Sequence, residues 1–104
     1  MIKYQANHVS PIEIENILHQ HPAIKDCVVF GKNDPEVQEL ISAAVVLKNN
    51  EKDIDKEIIR DFVNKRVKVD YKRLRGDIMT IDYIPRNSTG KQLRREIRKW
   101  AEKQ

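Results

Sequence analysis

The sequence predicts a single α+β domain, in which a small, mostly antiparallel sheet of about three main strands is flanked by three helices. Two β-branched apolar runs lie close together, a shorter one follows near residue 80, and segments with apolar residues at helical spacing surround them. The order helix, strand, strand, helix, strand, helix is typical of a sheet covered by helices. A length of 104 residues is that of one domain.

The first helix is predicted to begin at Pro11, with Ser10 as its N-cap. Proline is favoured at the first helical position, and Glu13 stands three residues after Ser10, as in a capping box. The nine residues before this helix have no strong periodicity and allow a short N-terminal hairpin. The apolar face of the helix comprises Ile14, Ile17 and Leu18.

The two main strands are predicted in DCVVFGK (26–32) and ELISAAVVLK (39–48), with NDPEVQ as the loop between them. Their continuous apolar character indicates strands that are covered on both faces. Cys27, the single cysteine, lies in the first run, so no internal disulfide can form and a buried thiol is expected.

A second helix is predicted from Asp53 or Asp55 to about Val67, because apolar residues recur there at helical spacing. IMTIDYI (78–84) is predicted to be the third strand, which Pro85 ends. The apolar residues of the last helix are Leu93, Ile97 and Trp100.

The charge distribution favours anionic partners. The formal net charge is +4, with cations concentrated in residues 65–75 and 91–103. A basic module that binds nucleic acid is one alternative, although the few, scattered aromatic residues form no pair placed to stack bases. We therefore expect no nucleic-acid partner.

Two further classes of site are not expected. No apolar run approaches the length of a membrane span and the N-terminus lacks the pattern of a signal peptide, so the chain is expected to be intracellular. His19 and His21 have no Cys or His partners at ligand spacing, so no metal site is expected in this domain.

The segment IPRNSTGKQLRRE (84–96) is the candidate site. Gly90 can adopt a positive φ, and Ser88 or Thr89 can cap the following helix with a hydroxyl. Lys91 would then lie in the first helical turn, where the helix dipole disfavours an exposed cation by up to about 1 kcal/mol. A docked anion would reverse that preference. From these residues alone, a solvated lysine and an anion-binding lysine both stay open.

A phosphate-binding P-loop is excluded for this segment. That motif needs a glycine five positions before its Gly-Lys pair and a Ser or Thr after it. Pro85 occupies the required glycine position, and Gln92 follows the lysine.

Three stretches together carry a family resemblance: VSPIEIENILHQHPAIKDCVVFGKNDPE, YKRLRGDI and IPRNSTGKQLRREIR. They resemble the small C-terminal domain of the AMP-forming acyl-CoA synthetases, a superfamily that includes beetle luciferases and peptide-synthetase adenylation domains. The resemblance covers nearly the whole chain and is greatest for the luciferase-like and 4-coumarate-ligase-like branch.

The resemblance implies a two-step ligase that uses ATP with Mg²⁺ and, as the usual acceptor, coenzyme A. A carboxylic acid is first converted to an acyl-adenylate, and a thiol then displaces AMP. The resemblance also implies that residues 1–9 follow a hinge and that residues 10–104 form a mobile domain. A large N-terminal domain would hold ATP, metal and acid. The domain alone is expected to be nearly inactive.

By position in the resembling motif, Lys91 matches the lysine that bridges the carboxylate and the α-phosphate during adenylation, with Ser88, Thr89 and Gly90 in the supporting loop. Lys3 matches a lysine that, in luciferase-like members, faces the active site in the second half-reaction.

The resemblance also implies a set of residues close to coenzyme A. Ala6 stands where the family usually has a glycine that lets the pantetheine arm pass. Gln38 and Ile41 replace a commonly seen glycine and proline, which is expected to alter loop shape more than chemistry. The residues expected near coenzyme A are Gln5, Ala6, Asn7, His8, Lys72 and Arg73.

Two questions stay open from the sequence. The second step is either thioester formation or luciferase-type oxygenation of the adenylate. The compartment is either the cytoplasm or the peroxisome, although the ending WAEKQ carries no peroxisomal tripeptide.

Overall fold

The computed structural model describes residues 1–51, 53–89 and 94–103, and in this part of the chain three helices surround a five-stranded sheet. The α+β class is confirmed, and so is the N-terminal hairpin. The helices are α1 (Pro11–Leu18), α2 (Lys56–Arg66) and α3 (Arg94–Glu102). The strands are β1 (Ile2–Tyr4), β2 (Asn7–Val9), β3 (Ile24–Asp34), β4 (Gln38–Leu47) and β5 (Ile78–Thr80). Short 3₁₀ helices span Asn49–Glu51 and Asp70–Lys72.

Strand β4 organises the sheet. It pairs with β3 along its whole length in an antiparallel ladder that runs from Ile24↔Leu47 to Asp34↔Gln38. On the opposite edge of β4, β1 pairs antiparallel at one end through Tyr4↔Gln38, and β5 pairs in parallel further along. The sheet is therefore mostly antiparallel, with one parallel strand.

Both faces of the sheet are buried, which explains why β3 and β4 are continuously apolar. Successive side chains of a strand point to opposite faces, so alternate residues belong to different cores. Cys27 and Val29 of β3 pack on the side of α1 and α2, whereas Val28 and Phe30 pack on the side of α3. The helix residues in these cores are Ile14, Leu18, Ile59 and Val63 on the first side, and Ile97 and Ala101 on the second.

The two predicted helix starts differ in outcome. Asp55 is the N-cap of α2, and its carboxylate accepts a hydrogen bond from the Glu57 N–H at 2.8 Å. Ser10 occupies the N-cap position of α1, but its side chain makes no capping bond. The predicted capping box is wrong, because the Glu13 carboxylate instead accepts from Lys72 Nζ at 3.1 Å.

The β segments also differ in length from the prediction. β3 and β4 reach Asp34 and Gln38, so the loop between them is shorter than NDPEVQ. β5 ends at Thr80. Ile84 lies outside the strand and packs in the core on the α3 side of the sheet, which we call the α3 core. Ile41, expected in a loop-shaping position, is buried inside β4.

The structure also describes the two histidines and one of the apolar residues of the last helix. His21 lies beyond the end of α1, where it is buried and its Nδ1 accepts from the Ala23 N–H at 3.0 Å. His19 is the C-cap of α1, so the two histidines do not share a helix. Trp100 packs half-buried against the α3 core, and Leu93 lies outside the described residues.

Among the described residues, none of the helices has the length and apolar character needed to cross a bilayer.

Candidate functional site

The candidate site segment contains a turn closed by Asn87. The Asn87 Oδ1 accepts two hydrogen bonds from Thr89, one from its N–H at 3.0 Å and one from its hydroxyl at 2.7 Å. Such turns are a typical use of asparagine. Lys91 and Gly90 lie outside the described residues, so the structure does not test their predicted roles or the capping of the next helix by Ser88 or Thr89.

Before this turn, Arg86 pairs with a carboxylate on β3. Its two terminal nitrogens lie 2.8 Å and 3.0 Å from the two Asp26 carboxylate oxygens, so the pair is bidentate. The hydrogen bond to Asp26 raises the pKa of Arg86 above its ordinary value. Bidentate pairs between arginine and carboxylate fix orientation as well as distance.

Further along the segment, Arg94 is the first residue of α3 and reaches groups on two neighbouring elements. Its Nε donates to the Val29 carbonyl at 2.8 Å, and its Nη2 lies 2.8 Å from Glu15 Oε2. Arg94 thereby joins the start of α3 to both β3 and α1.

Glu15 is a buried carboxylate at the crossing of these three elements. It is 7% exposed, and the oxygen that meets Arg94 also accepts from the Val29 N–H at 2.8 Å. A buried carboxylate is tolerated when it is paired and hydrogen-bonded in this way. Sequence reasoning did not identify Glu15, because a glutamate on an amphipathic helix is usually solvated. The one feature of the sequence that could have indicated burial of Glu15 is its position next to Ile14, on the face of α1 that meets the sheet.

A second group of expected site residues lies on the β1–β2 hairpin. Gln5 and Ala6 form its two-residue tip with φ of 47° and 70°, the left-handed pattern of a type I′ turn. The tip is bonded to the β3–β4 connection, because Gln5 N–H donates to the Val37 carbonyl and Ala6 N–H donates to Gln38 Oε1, each at 3.0 Å. Gln38 is itself at φ 77°, which agrees with the expectation that it replaces a glycine.

Lys3 lies next to this tip, opposite His8 in the hairpin. Its backbone N–H donates to Glu39 Oε1 at 2.9 Å. The side chain is exposed, and within the described residues no carboxylate forms an ion pair with its ammonium.

The predicted basic stretch KRLRG is largely neutralised by nearby carboxylates. Lys72 pairs with Glu13, and Arg73 and Arg75 both approach Asp70, the latter at 2.8 Å. The 3₁₀ helix that contains Lys72 contacts β2, so Lys72 and the following Arg73 lie near the hairpin. Pairing leaves this stretch less free positive charge for a polyanion.

The hairpin tip and the Arg86–Asp26 pair lie at opposite ends of the sheet. Tyr4 pairs with Gln38, whereas Asp26 pairs with Val46 of the same strand. At about 3.4 Å per residue, these positions on β4 are roughly 27 Å apart. The hairpin tip is therefore far from the Arg86 end of the candidate segment. No group of three or more His, Cys, Asp or Glu residues in the described part could hold a metal ion.

Similarity to known proteins extends over most of the chain. The sequence profile of the AMP-binding enzyme C-terminal domain family matches residues 13–91. Luciferin 4-monooxygenase of Luciola mingrelica is 44% identical over 91 residues, which are 88% of this chain and 16% of the relative. 4-Coumarate–CoA ligase 1 of Oryza sativa subsp. japonica is 39% identical over 100 residues, which are 95% of this chain and 17% of the relative. The chain thus spans about a sixth of the length of these relatives.

Among solved structures, a Mycobacterium tuberculosis fatty acyl CoA synthetase superposes on this fold with a TM-score of 0.86 at 29% identity. The match covers 99% of this chain and 20% of the other. The fold described here therefore corresponds to about a fifth of that protein's chain.

Proposed function

Because this chain belongs to the AMP-binding enzyme C-terminal domain family, we propose that it is the mobile C-terminal domain of an ATP-dependent, AMP-forming acid–thiol ligase. In the first step a carboxylate oxygen attacks the α-phosphorus of ATP and pyrophosphate leaves. In the second step a thiol, that of coenzyme A, attacks the acyl carbon and AMP leaves. A large partner domain supplies the sites for ATP, Mg²⁺ and the acid.

The observation that carries this proposal is the family match, which runs through the candidate segment as far as Lys91. In the proposed mechanism the Lys91 ammonium meets the oxygens of the carboxylate and the α-phosphate when the two domains close. Negative charge on these oxygens increases in the transition state, so an ammonium placed there stabilises the transition state more than the ground state.

The distance between the hairpin tip and the Arg86–Asp26 pair supports a domain that alternates between two orientations. One orientation would present the segment with Lys91, and the other would present Lys3 and the Gln5–Ala6 tip. A rigid-body swing about a hinge is a common way to exchange two sets of groups at one active site. The exposed side chain of Lys3 fits a role in the second half-reaction.

The proposal is tested by Lys91→Ala in the protein that joins this chain to its large domain. Acid-dependent exchange of pyrophosphate into ATP should fall by orders of magnitude, and thioester formation from a supplied acyl-adenylate should be largely retained. Exchange at the unchanged rate would show that the role assigned to Lys91 is wrong.

Oxygenation of the adenylate is the second candidate for the final step, because the luciferin 4-monooxygenase is 44% identical to this chain. The Ala6 side chain, in place of the usual glycine, also fits an acceptor other than coenzyme A. Measuring CoA-dependent thioester release and light emission from the same preparation decides between the two. Light with luciferin, without thioester release, would favour oxygenation.

A further inference from the structure

Glu39 of β4 joins the β1–β2 hairpin to helix α3. One of its carboxylate oxygens, Oε1, accepts from the Lys3 backbone N–H at 2.9 Å, and the other, Oε2, lies 2.8 Å from Arg98 Nη1. The Glu39 side chain is 14% exposed, so this bridge is largely shielded from solvent. A single carboxylate therefore connects the backbone of Lys3 to a side chain of α3.

The bridge extends the attachment of the hairpin to the sheet. β1 pairs with β4 through Tyr4↔Gln38. At the preceding residue, Lys3, the Glu39 carboxylate takes the place of a strand carbonyl. Ile2 lies in the core beside α1 and α2, and neighbouring residues of a strand face opposite sides, so the Lys3 side chain extends from the other face. The bond to the Lys3 N–H thus fixes the place from which that side chain extends.

Arg98, the other partner of the carboxylate, is itself held by neighbouring groups. Its Nη2 donates to Asn33 Oδ1 at 2.6 Å, and its Nε lies 3.3 Å from Glu102 Oε1. The same glutamate oxygen accepts from Asn33 Nδ2 at 3.1 Å. A planar guanidinium with several partners has few orientations open to it. The Glu39 oxygen that meets Arg98 is therefore fixed relative to both β3 and α3.

We propose that Glu39 is a positioning residue for the second half-reaction, because it holds the Lys3 backbone at a fixed place relative to β4 and α3. This inference rests on the proposed function, in which Lys3 faces the active site when the thiol attacks the acyl-adenylate. A misplacement of about 1 Å at an active site can lower a rate by about 100-fold. The position of the hairpin on the domain then matters as much as the presence of the lysine.

Gly31 leaves the space that the Glu39 carboxylate occupies. A Cβ on this glycine would lie 2.6 Å from Glu39 Oε2 and 2.8 Å from its carboxyl carbon. Glycine inside a strand weakens the strand and often marks a close approach by another group. An alanine at this position would displace the carboxylate without removing it, which gives a second, independent way to disturb the bridge.

The test uses the protein that joins this chain to its large domain, with the adenylate of whichever aromatic or fatty acid gives the fastest pyrophosphate exchange. Glu39→Ala should lower the kcat of thioester formation from this adenylate and coenzyme A by about 10- to 100-fold, and should leave pyrophosphate exchange within about twofold of the wild type. Glu39→Gln should retain most of the rate, because its amide oxygen can still accept from the Lys3 N–H. Gly31→Ala should also slow thioester formation, and adding it to Glu39→Ala should cause no further loss.

Glu15→Ala is the matched control. The Glu15 carboxylate likewise accepts from a backbone N–H and pairs with an arginine of α3, but these partners are Val29 and Arg94 rather than the hairpin. Measured below its melting temperature, this variant should form thioester at a rate close to that of the wild type. Thermal unfolding of every variant sets the temperature at which the rates are compared.

Equal losses in both half-reactions, or thioester formation no slower in Glu39→Ala and Gly31→Ala than in Glu15→Ala, would overturn the inference while Lys3→Ala still slows that step. An unchanged rate in Lys3→Ala would also overturn it, because Glu39 would then have no group to position. Absence of acid-dependent pyrophosphate exchange in the wild type would instead overturn the proposed function, and with it this inference.

Discussion

Gly76 lies so close to Ser42 that a Cβ on the glycine would be 1.9 Å from the Ser42 Oγ. That Cβ would also be 2.9 Å from the Ile41 carbonyl oxygen, which accepts a hydrogen bond from the Gly76 N–H. Asp77 N–H donates to the Ser42 hydroxyl at 3.2 Å. The chain that leads into β5 therefore approaches β4 at a point where only a hydrogen atom fits.

Gly76→Ala should lower the free energy of unfolding by about 2–3 kcal/mol, because overpacking of a buried contact forces the backbone to move. Urea unfolding of the wild type and the variant measures the difference. Adding Ser42→Ala should restore part of the loss, since it removes the nearest atom and leaves the Ile41 carbonyl in place. Equal stability of Gly76→Ala and the wild type would contradict this packing.

Gly31→Ala is the comparison for that prediction. The atoms nearest to its added Cβ belong to the end of the Glu39 side chain, at 2.6 Å and 2.8 Å. A flexible carboxylate can rotate away, so this variant should lose less stability than Gly76→Ala.

Glu15→Ala should lower the free energy of unfolding by about 3 kcal/mol, because it removes the buried carboxylate that accepts from the Val29 N–H and pairs with Arg94. Glu15→Gln should lose less, since the amide oxygen can still accept from the Val29 N–H. Glu57→Ala is a control at an exposed pair with Arg60, where the expected loss is below about 0.5 kcal/mol. Chemical denaturation of the three variants compares them directly.

Ala6→Gly should raise stability by about 0.5 kcal/mol, since relief of the left-handed conformation exceeds the added chain entropy of glycine. The relevant backbone angle is the φ of 70° at the hairpin tip. Ala101→Gly, inside α3, should instead destabilise by about 1 kcal/mol. Thermal unfolding measures the change in stability of each variant. A loss of stability in both variants would contradict the left-handed turn at Ala6.

The stability of the domain should fall between pH 9 and 12 because of Cys27. Burial, followed by the charges of Glu15 and Asp26, raises the pKa of the Cys27 thiol from 9.0 to about 12. Above pH 9 the unfolded chain releases this proton while the folded chain keeps it, so rising pH favours unfolding. The expected slope is about 1.4 kcal/mol per pH unit.

Cys27→Ala is the reference for that measurement, because it retains every other group that titrates at alkaline pH. The difference in unfolding free energy between wild type and Cys27→Ala should shrink as the pH rises from 9 to 12. A difference that does not change with pH would show that the folded chain does not hold the pKa of the Cys27 thiol above its ordinary value.

Much of the fold could be predicted from local patterns. The alternation of Cys27 and Val29 with Val28 and Phe30 belongs to a strand with two covered faces, and Asp55 marks the start of α2. These signals act over a few residues, through side-chain alternation and through a cap that bonds to the next turn. The same short range explains the failure of the capping box, since Glu13 had a partner 59 residues away.

The sequence by itself determined the α+β class, the main elements and the motif that contains Lys91. Only the tertiary structure decided that Glu15 is buried against Arg94, that Arg86 meets Asp26, and that the hairpin tip lies at the far end of the sheet. These relationships join residues 60 or more positions apart or depend on the register of β4 with its neighbours. Local preferences carry no information about such register, because it is set by the way whole strands and helices bury their apolar faces together.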